Sequence, residues 1–395
     1  MNKAENKVEK ASENDINIDL KVAVAILSTF CAFVVCLMIM IGCLIANAVQ
    51  DRERRAEIDD PAGSKRPSTE VTTDKPVNEG ILPGKKTGME LPSITAAGAY
   101  LGVTNENTKD VSDDTDIQSG AIVLINATDG VVVAGKNADV KVYPASMTKV
   151  MTLLVACENA KDPNALLTLT KQMTDKYKSA GNQGASLAFE WQEGYQITVE
   201  DALHMIIYGS DTYACWLIAE HVAGGEEQFA QMMNDKAKAL GLTSTNFVNC
   251  TGLYNDEHYT TCGEMAAIMA AAMSNKVANA VLKSNQRYVV DIYTDGKKTS
   301  EAGMWSAWYT GRLEEYKYQN TAPYYAGKGS DIMIIGGKTG YETIPTSCFV
   351  TAGLDDVTGK MYVCVQVGRI DKTQNTVNSS TSTYDTREMY WKYAK

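Results

Sequence analysis

From Val22 to Gln50 the chain runs for 29 residues without a charge, nearly all of them apolar. At about 1.5 Å per residue, a helix of that length exceeds the roughly 30 Å hydrocarbon core of a bilayer. The run is read as a transmembrane helix over 22–50, with a polar tail over 1–21. Two other readings stay open. Ala46-Asn47-Ala48 fits a small-x-small leader cleavage site, although the run is longer than a usual leader core. Met40-Ile41-Gly42-Cys43 faintly resembles a lipoprotein box, although apolar residues continue beyond it. Charge does not set the orientation. Four lysines precede the run, and Arg52, Arg54, Arg55, Lys65 and Arg66 follow it.

Residues 51–95 carry five of the nine prolines, with Gly, Ser, Thr and charges between them and no apolar period. That composition predicts a solvated, flexible tether. A globular texture begins near residue 96 and continues to 395. Acidic residues outnumber basic ones, 48 to 37, which argues against a nucleic-acid partner. With three histidines, no H-E-x-x-H and no C-x-x-C, no metal site or cofactor is expected.

Within the globular part, Ala121-Ile125 and Gly130-Ala134 flank a polar turn and predict a β-hairpin. Pro144-Ala145 then opens a helix with Met147, Val150, Met151, Leu154 and Val155 on one stripe. Further helices are expected over about 199–208, 212–223, 225–240 and 261–273. Strands return at Ile332-Ile335, Ser347-Ala352 and Met361-Val367. Strands at both ends with helices between them predict an α+β domain whose terminal strands share one sheet. Residues 284–330 are rich in Tyr and Trp. They are read as an expanded hairpin with an aromatic mini-core, or else as a wall of the cleft.

Three short segments could carry chemistry. In Ser146-Met147-Thr148-Lys149, the serine and lysine sit one helical turn apart on one face. A serine hydroxyl needs an adjacent base, and a lysine serves as one when it is neutral, which burial and the helix N-terminus favour. Alone, this spacing equally describes an N-cap serine beside an exposed lysine. Gly337-Lys338-Thr339-Gly340 follows a predicted strand, where Lys338 could meet a ligand carboxylate along the strand edge. Lys86-Thr87-Gly88 repeats the tripeptide in the tether, with no strand before it. Tyr208-Gly209-Ser210-Asp211-Thr212 joins two predicted helices and offers a second serine that could move a proton.

In this order, the three segments resemble the S-x-x-K, S-x-N and K-T-G set of penicillin-binding proteins and serine β-lactamases. The D-alanyl-D-alanine carboxypeptidases among them are the nearest in pattern. Tyr143-Pro144-Ala145-Ser146-Met147-Thr148-Lys149, Ala219-Glu220-His221-Val222-Ala223-Gly224, Thr245-Asn246-Phe247-Val248-Asn249, Gly252-Leu253, His258-Tyr259-Thr260-Thr261 and Gly337-Lys338-Thr339-Gly340-Tyr341 carry the likeness. It spans about residues 115–395. It implies an antiparallel sheet flanked by helices, a helical lobe, and an active site between them. Ser146, Lys149 and Ser210 would be catalytic; Lys338, Thr339, Gly340, Tyr341 and Thr212 would bind substrate. The substrate implied is a peptidoglycan stem peptide, with β-lactams as inhibitors. The domain would lie outside a bacterial cell membrane, held by the N-terminal helix.

The chain departs from the family pattern in two segments of the site. Thr212 stands where the family has asparagine, which leaves room for a catalytically weak wall-binding or regulatory relative. Cys250-Thr251 replace Pro-His. No E-x-x-L-N string follows the second segment, which argues against a class A β-lactamase. His204 is expected in the core, His221 on a helix surface, and His258 ordering a loop near the site. Cys348 and Cys364 would face each other if the last turn centred near Asp356. Two packed thiols are expected there rather than a bridge, and a Cys250–Cys262 bridge is a weaker alternative.

Overall fold

Ala121–Asn126 (β2) is buried along its whole length, as a strand with neighbours on both edges and both faces covered must be. The computed structural model describes residues 102–179, 189–283, 287–304, 306, 324–326, 330–342, 346–370 and 379–394. The expected membrane span at 22–50, the tether at 51–95 and most of the aromatic segment after 304 lie outside these residues.

Strand β2 pairs with β3 (Val131–Lys136) on one edge and with β11 (Met361–Val367) on the other. The expected sharing of one sheet by early and late strands is thereby met. The sheet order is β1-β3-β2-β11-β10-β9-β8, where β1 is Lys109–Asp110, β8 Tyr324–Tyr325, β9 Ile332–Glu342 and β10 Thr346–Asp355. Only β1 against β3 is parallel among these ladders. One face packs on the C-terminal helix α8 (Ser379–Tyr393), where Ile122, Leu124, Phe349, Tyr362 and Cys364 meet Met389 and Tyr390. The other face joins the helical core through α6 (Cys262–Ser274).

The helices begin where side chains can cap them. Thr198 accepts from Asp201 N at the start of α3 (Val199–Tyr208), and Asp211 accepts from Ala214 N at the start of α4 (Thr212–Ala223). Thr261 accepts from Glu264 N at the start of α6, each satisfying an orphan donor of the first turn. The central helix α1 (Thr148–Asn159) is buried on every side from Thr148 to Cys157. The apolar stripe in its sequence understates this, because polar Thr148, Lys149 and Thr152 are buried too.

A second sheet, β4-β5-β6-β7, comprises Leu166–Thr168, Gln196–Thr198, Tyr288–Thr294 and Lys297–Met304. Its hairpin turns on Asp295 and Gly296, with φ of 50° and 73°, the conformation that Asp-Gly favours in a tight hairpin. Here His204 is a core residue, as expected. It stacks on Tyr288 at 3.8 Å, and its Nδ1 pairs with Glu200 O at 2.8 Å. His221 is exposed on α4.

The two cysteine pairings are not present. Cys157, Cys215, Cys250, Cys262, Cys348 and Cys364 are free and buried. Cys348 lies opposite Val367, and Cys364 opposite Thr351. The turn closes between Asp355 and Lys360, with Asp355 Oδ1 accepting from Val357 N and Thr358 N. That centres it beyond Val357 rather than at Asp356. The resulting register shift is odd, so the two thiols project to opposite faces.

Candidate active site

Ser146 lies in a single 3₁₀ turn, Ala145–Met147, that leads into α1. From Val142 to Cys157 it is the one residue that is not buried. Ala145 before it has φ of 46°, a sparsely populated conformation for a side chain with a Cβ. The neighbours over-determine that conformation. A Cβ on Gly252 would lie 2.0 Å from Ala145 O, so only glycine fits there. Gly252 itself has φ of 76°, and the Tyr143 hydroxyl donates to its carbonyl.

Lys149 follows one turn later and is only 1% exposed. Its Nζ donates to Ser146 Oγ at 3.2 Å and to Thr251 O at 2.5 Å. The exposed-lysine reading of this segment is thereby excluded. Thr251 occupies a position where sequence reasoning found only a departure. Its contribution is a backbone carbonyl, which residue identity does not encode. Asn249 Oδ1 shapes the turn that aims it, accepting from Thr251 N, Thr251 Oγ1 and Gly252 N.

The second pair is Ser210 and Lys338. Ser210, half-buried, has φ of 51° between α3 and α4. Lys338 is 1% exposed; its Nζ donates to Ser210 Oγ at 3.0 Å and to Thr339 O at 2.7 Å. The K-T-G segment lies inside β9 rather than after it, because the strand continues to Glu342. Lys338 and Gly340 therefore share one face. A Cβ on Gly340 would stand 3.2 Å from Ser146 N and 2.5 Å from Cys348 Sγ. The missing side chain lets the Ser146 turn rest directly on the strand. Cys348 Sγ closes the contact from behind, donating to Pro144 O at 3.4 Å.

Strand β9 thus touches both pairs, Ser146–Lys149 through Gly340 and Ser210 through Lys338. Thr339 is half-buried and Tyr341 is 74% exposed. Thr212 is fully buried at the first position of α4, and its hydroxyl has no hydrogen-bond partner among the described residues. Asp211 holds this corner: Oδ1 accepts from Ala214 N and Oδ2 from Trp191 Nε1, both at 2.9 Å. His258 orders the neighbouring loop, as expected. Chemically, the arrangement supplies a hydroxyl with an amine beside it, a second hydroxyl, and a second amine at the strand.

A family model described as D-alanyl-D-alanine carboxypeptidase matches residues 106–366. Over 153 residues the chain is 39% identical to D-alanyl-D-alanine carboxypeptidase DacF of Bacillus subtilis (strain 168), covering 39% of this chain and 38% of that one. Over 155 residues it is 35% identical to D-alanyl-D-alanine carboxypeptidase DacC of Escherichia coli (strain K12), covering 38% of each. The matched stretch therefore spans well under half the length of these curated relatives. Among solved structures, the Streptomyces K15 DD-transpeptidase aligns with a TM-score of 0.58 at 22% identity, covering 71% of this chain and 98% of that one. At that identity the likeness speaks to the fold alone.

Proposed function

Since the chain belongs to the D-alanyl-D-alanine carboxypeptidase family, we propose that it is a serine-type carboxypeptidase. It removes the terminal D-alanine from peptidoglycan stem peptides through an acyl-enzyme, and β-lactams acylate it at the same serine. The observation that carries this reading is Lys149 Nζ, buried and 3.2 Å from Ser146 Oγ.

Ser146 Oγ attacks the carbonyl carbon of the D-Ala–D-Ala bond, and Lys149 Nζ acts as the base that takes its proton. The new C–O bond forms a tetrahedral oxyanion, which the backbone N–H groups of Ser146 and Tyr341 stabilise. Ser210 Oγ relays a proton to the departing amine as the C–N bond breaks, leaving free D-alanine and an ester on Ser146. Lys338 and the Thr339 hydroxyl hold the terminal carboxylate of the substrate; a charge-assisted contact of this kind is stronger than a neutral one. Water then attacks the ester and regenerates Ser146. None of these steps calls on a cofactor.

The apolar run at 22–50 anchors the protein in the cell membrane, with residues 1–21 inside. The tether holds the domain outside, where its polymeric substrate is.

A second reading, a catalytically weak wall-binding or regulatory relative, is favoured by Thr212, which offers no amide at the family's asparagine position and is buried. Mass spectrometry after incubation with benzylpenicillin separates the two. A penicilloyl adduct on Ser146 supports the enzyme, and its absence from folded protein supports the relative.

A further inference from the structure

His258 is 1% exposed and takes no part in the proton path above. Both its ring nitrogens are engaged. Val248 N–H donates to Nδ1 at 3.2 Å. A ring nitrogen that accepts carries no proton, so in the neutral imidazole the proton sits on Nε2. Nε2 lies 2.8 Å from Thr148 Oγ1, which is therefore the acceptor. The rings of Tyr143 and Phe247 pack edge-on around the imidazole at centroid distances of 5.9 and 5.5 Å. Burial first, and the electrostatic influence of the nearby Lys149 second, push the His258 pKa down to about 3.

Thr148 stands between Ser146 and Lys149, and Val248 opens the turn that carries Thr251. The ring thus fastens the start of α1 to the strand-like entry of the loop. From that entry, the Asn249-centred turn brings the Thr251 carbonyl to Lys149 Nζ at 2.5 Å and the Cys250 carbonyl to Thr152 Oγ1 at 2.7 Å. All three loop contacts with α1 (His258, Thr251 and Cys250) depend on one placement of residues 248–252.

We propose that His258 is a positioning residue for acyl transfer. Its Nε2–H, held in that tautomer by Val248, locks Thr148 and the 248–252 turn, so that the Thr251 carbonyl keeps Lys149 against Ser146. The kinetic part rests on the acyl-transfer reading above; the geometric part does not.

The test uses the full chain in detergent and three variants. His258→Gln keeps a donor near the Nε2 position, whereas His258→Asn keeps only the acceptor for Val248. Thr148→Val removes the acceptor of the Nε2–H bond. In ¹⁵N spectra at pH 7, His258 should be neutral and protonated on Nε2. The Lys149 Nζ resonance should move in His258→Asn and Thr148→Val and stay in place in His258→Gln. An Nδ1–H ring, an imidazolium, or a Lys149 resonance indifferent to all three variants overturns the proposal, whether or not the protein is an enzyme. With fluorescent penicillin, the maximal acylation rate of His258→Asn should fall about tenfold to a hundredfold, as for a catalytic pair displaced by a fraction of an ångström to an ångström. The half-saturating concentration should hold, and His258→Gln should recover to within a few-fold of the parent. Equal rates for the Gln and Asn variants, at equal folded fraction by thermal melt, would also overturn it. If the parent protein is not acylated, the functional reading fails and the spectra alone decide the positioning.

Discussion

Lys338 Nζ and Ser210 Oγ meet at 3.0 Å across 128 positions of sequence, and their contact joins the sheet to the helical lobe. If Lys338 holds the substrate carboxylate, Lys338→Gln should lower kcat/KM on a D-Ala–D-Ala peptide by about tenfold to a hundredfold, the loss expected of one charge-assisted hydrogen bond. KM should carry most of it. Ser210→Ala should lower kcat instead, because it removes the proposed proton relay. Steady-state kinetics on both variants checks the division, and an unchanged kcat/KM in Lys338→Gln rejects the carboxylate role.

Ser146→Ala should abolish penicillin labelling and D-alanine release while leaving the melting temperature within a degree or two of the parent, since Ser146 is partly solvated and its loss opens no cavity. Persistent labelling of the variant would sink the assignment of the nucleophile.

Gly340→Ala should cost about 1–3 kcal/mol of stability, the range for forcing a methyl into a packed contact, and should slow acylation by shifting the Ser146 turn. The new Cβ would stand 2.5 Å from Cys348 Sγ. Adding Cys348→Ala removes that sulfur and should restore part of both losses. Chemical denaturation and labelling rates measure this. A double variant no better than Gly340→Ala alone would place the strain elsewhere.

Thr212→Val should stabilise the domain by roughly 1 kcal/mol, because it replaces a buried hydroxyl that has no partner among the described residues with a methyl of similar volume. Denaturant midpoints decide it, and a loss of stability would mean that the hydroxyl is satisfied.

His258 sets a pH dependence of stability. Its folded pKa, pushed down to about 3, lies below the ordinary 6.5. Between those values the unfolded chain binds a proton that the fold excludes, so stability falls as pH falls through this window. The difference from His258→Gln isolates the effect and should reach about 2 kcal/mol at pH 5. Above pH 7 the two curves should run parallel. A difference that stays constant from pH 7 to pH 5 would contradict the buried neutral ring.

Side-chain identity at fixed spacing made much of this legible. Ser146 and Lys149 one turn apart, Ser210 between two helical patterns and Lys338 close to a strand were all readable, although the strand runs on through Lys338 rather than ending before it, and so were the boundaries of α3 and α4, where Thr198 and Asp211 cap. What stayed hidden was carried by backbone or by register. The Thr251 carbonyl contacts Lys149 whatever residue stands there, and nothing in Thr251 itself announces it. The Cys348–Cys364 alignment depended on where a six-residue turn centres, which the Asp355 carboxylate decides by gathering two amides. The burial of Thr212 follows from its place at the head of α4 among core helices, which no local pattern describes.

The order of strands has a consequence in time. Strand β2 is finished early in synthesis, yet one of its edges belongs to β11, and Asp385 on α8 accepts from the amides of Gln118 and Ser119 just before it. Until residues 361–393 emerge, a strand of six residues buried in the finished fold has an open edge and an uncovered face, the state in which β-chains mispair. Ser146 and Lys149 exist as a helix start well before Lys338, Gly340 and the last strand can reach them. A chain stalled or cut before residue 338 therefore holds Ser146 and Lys149 but lacks the strand that touches both pairs of the site.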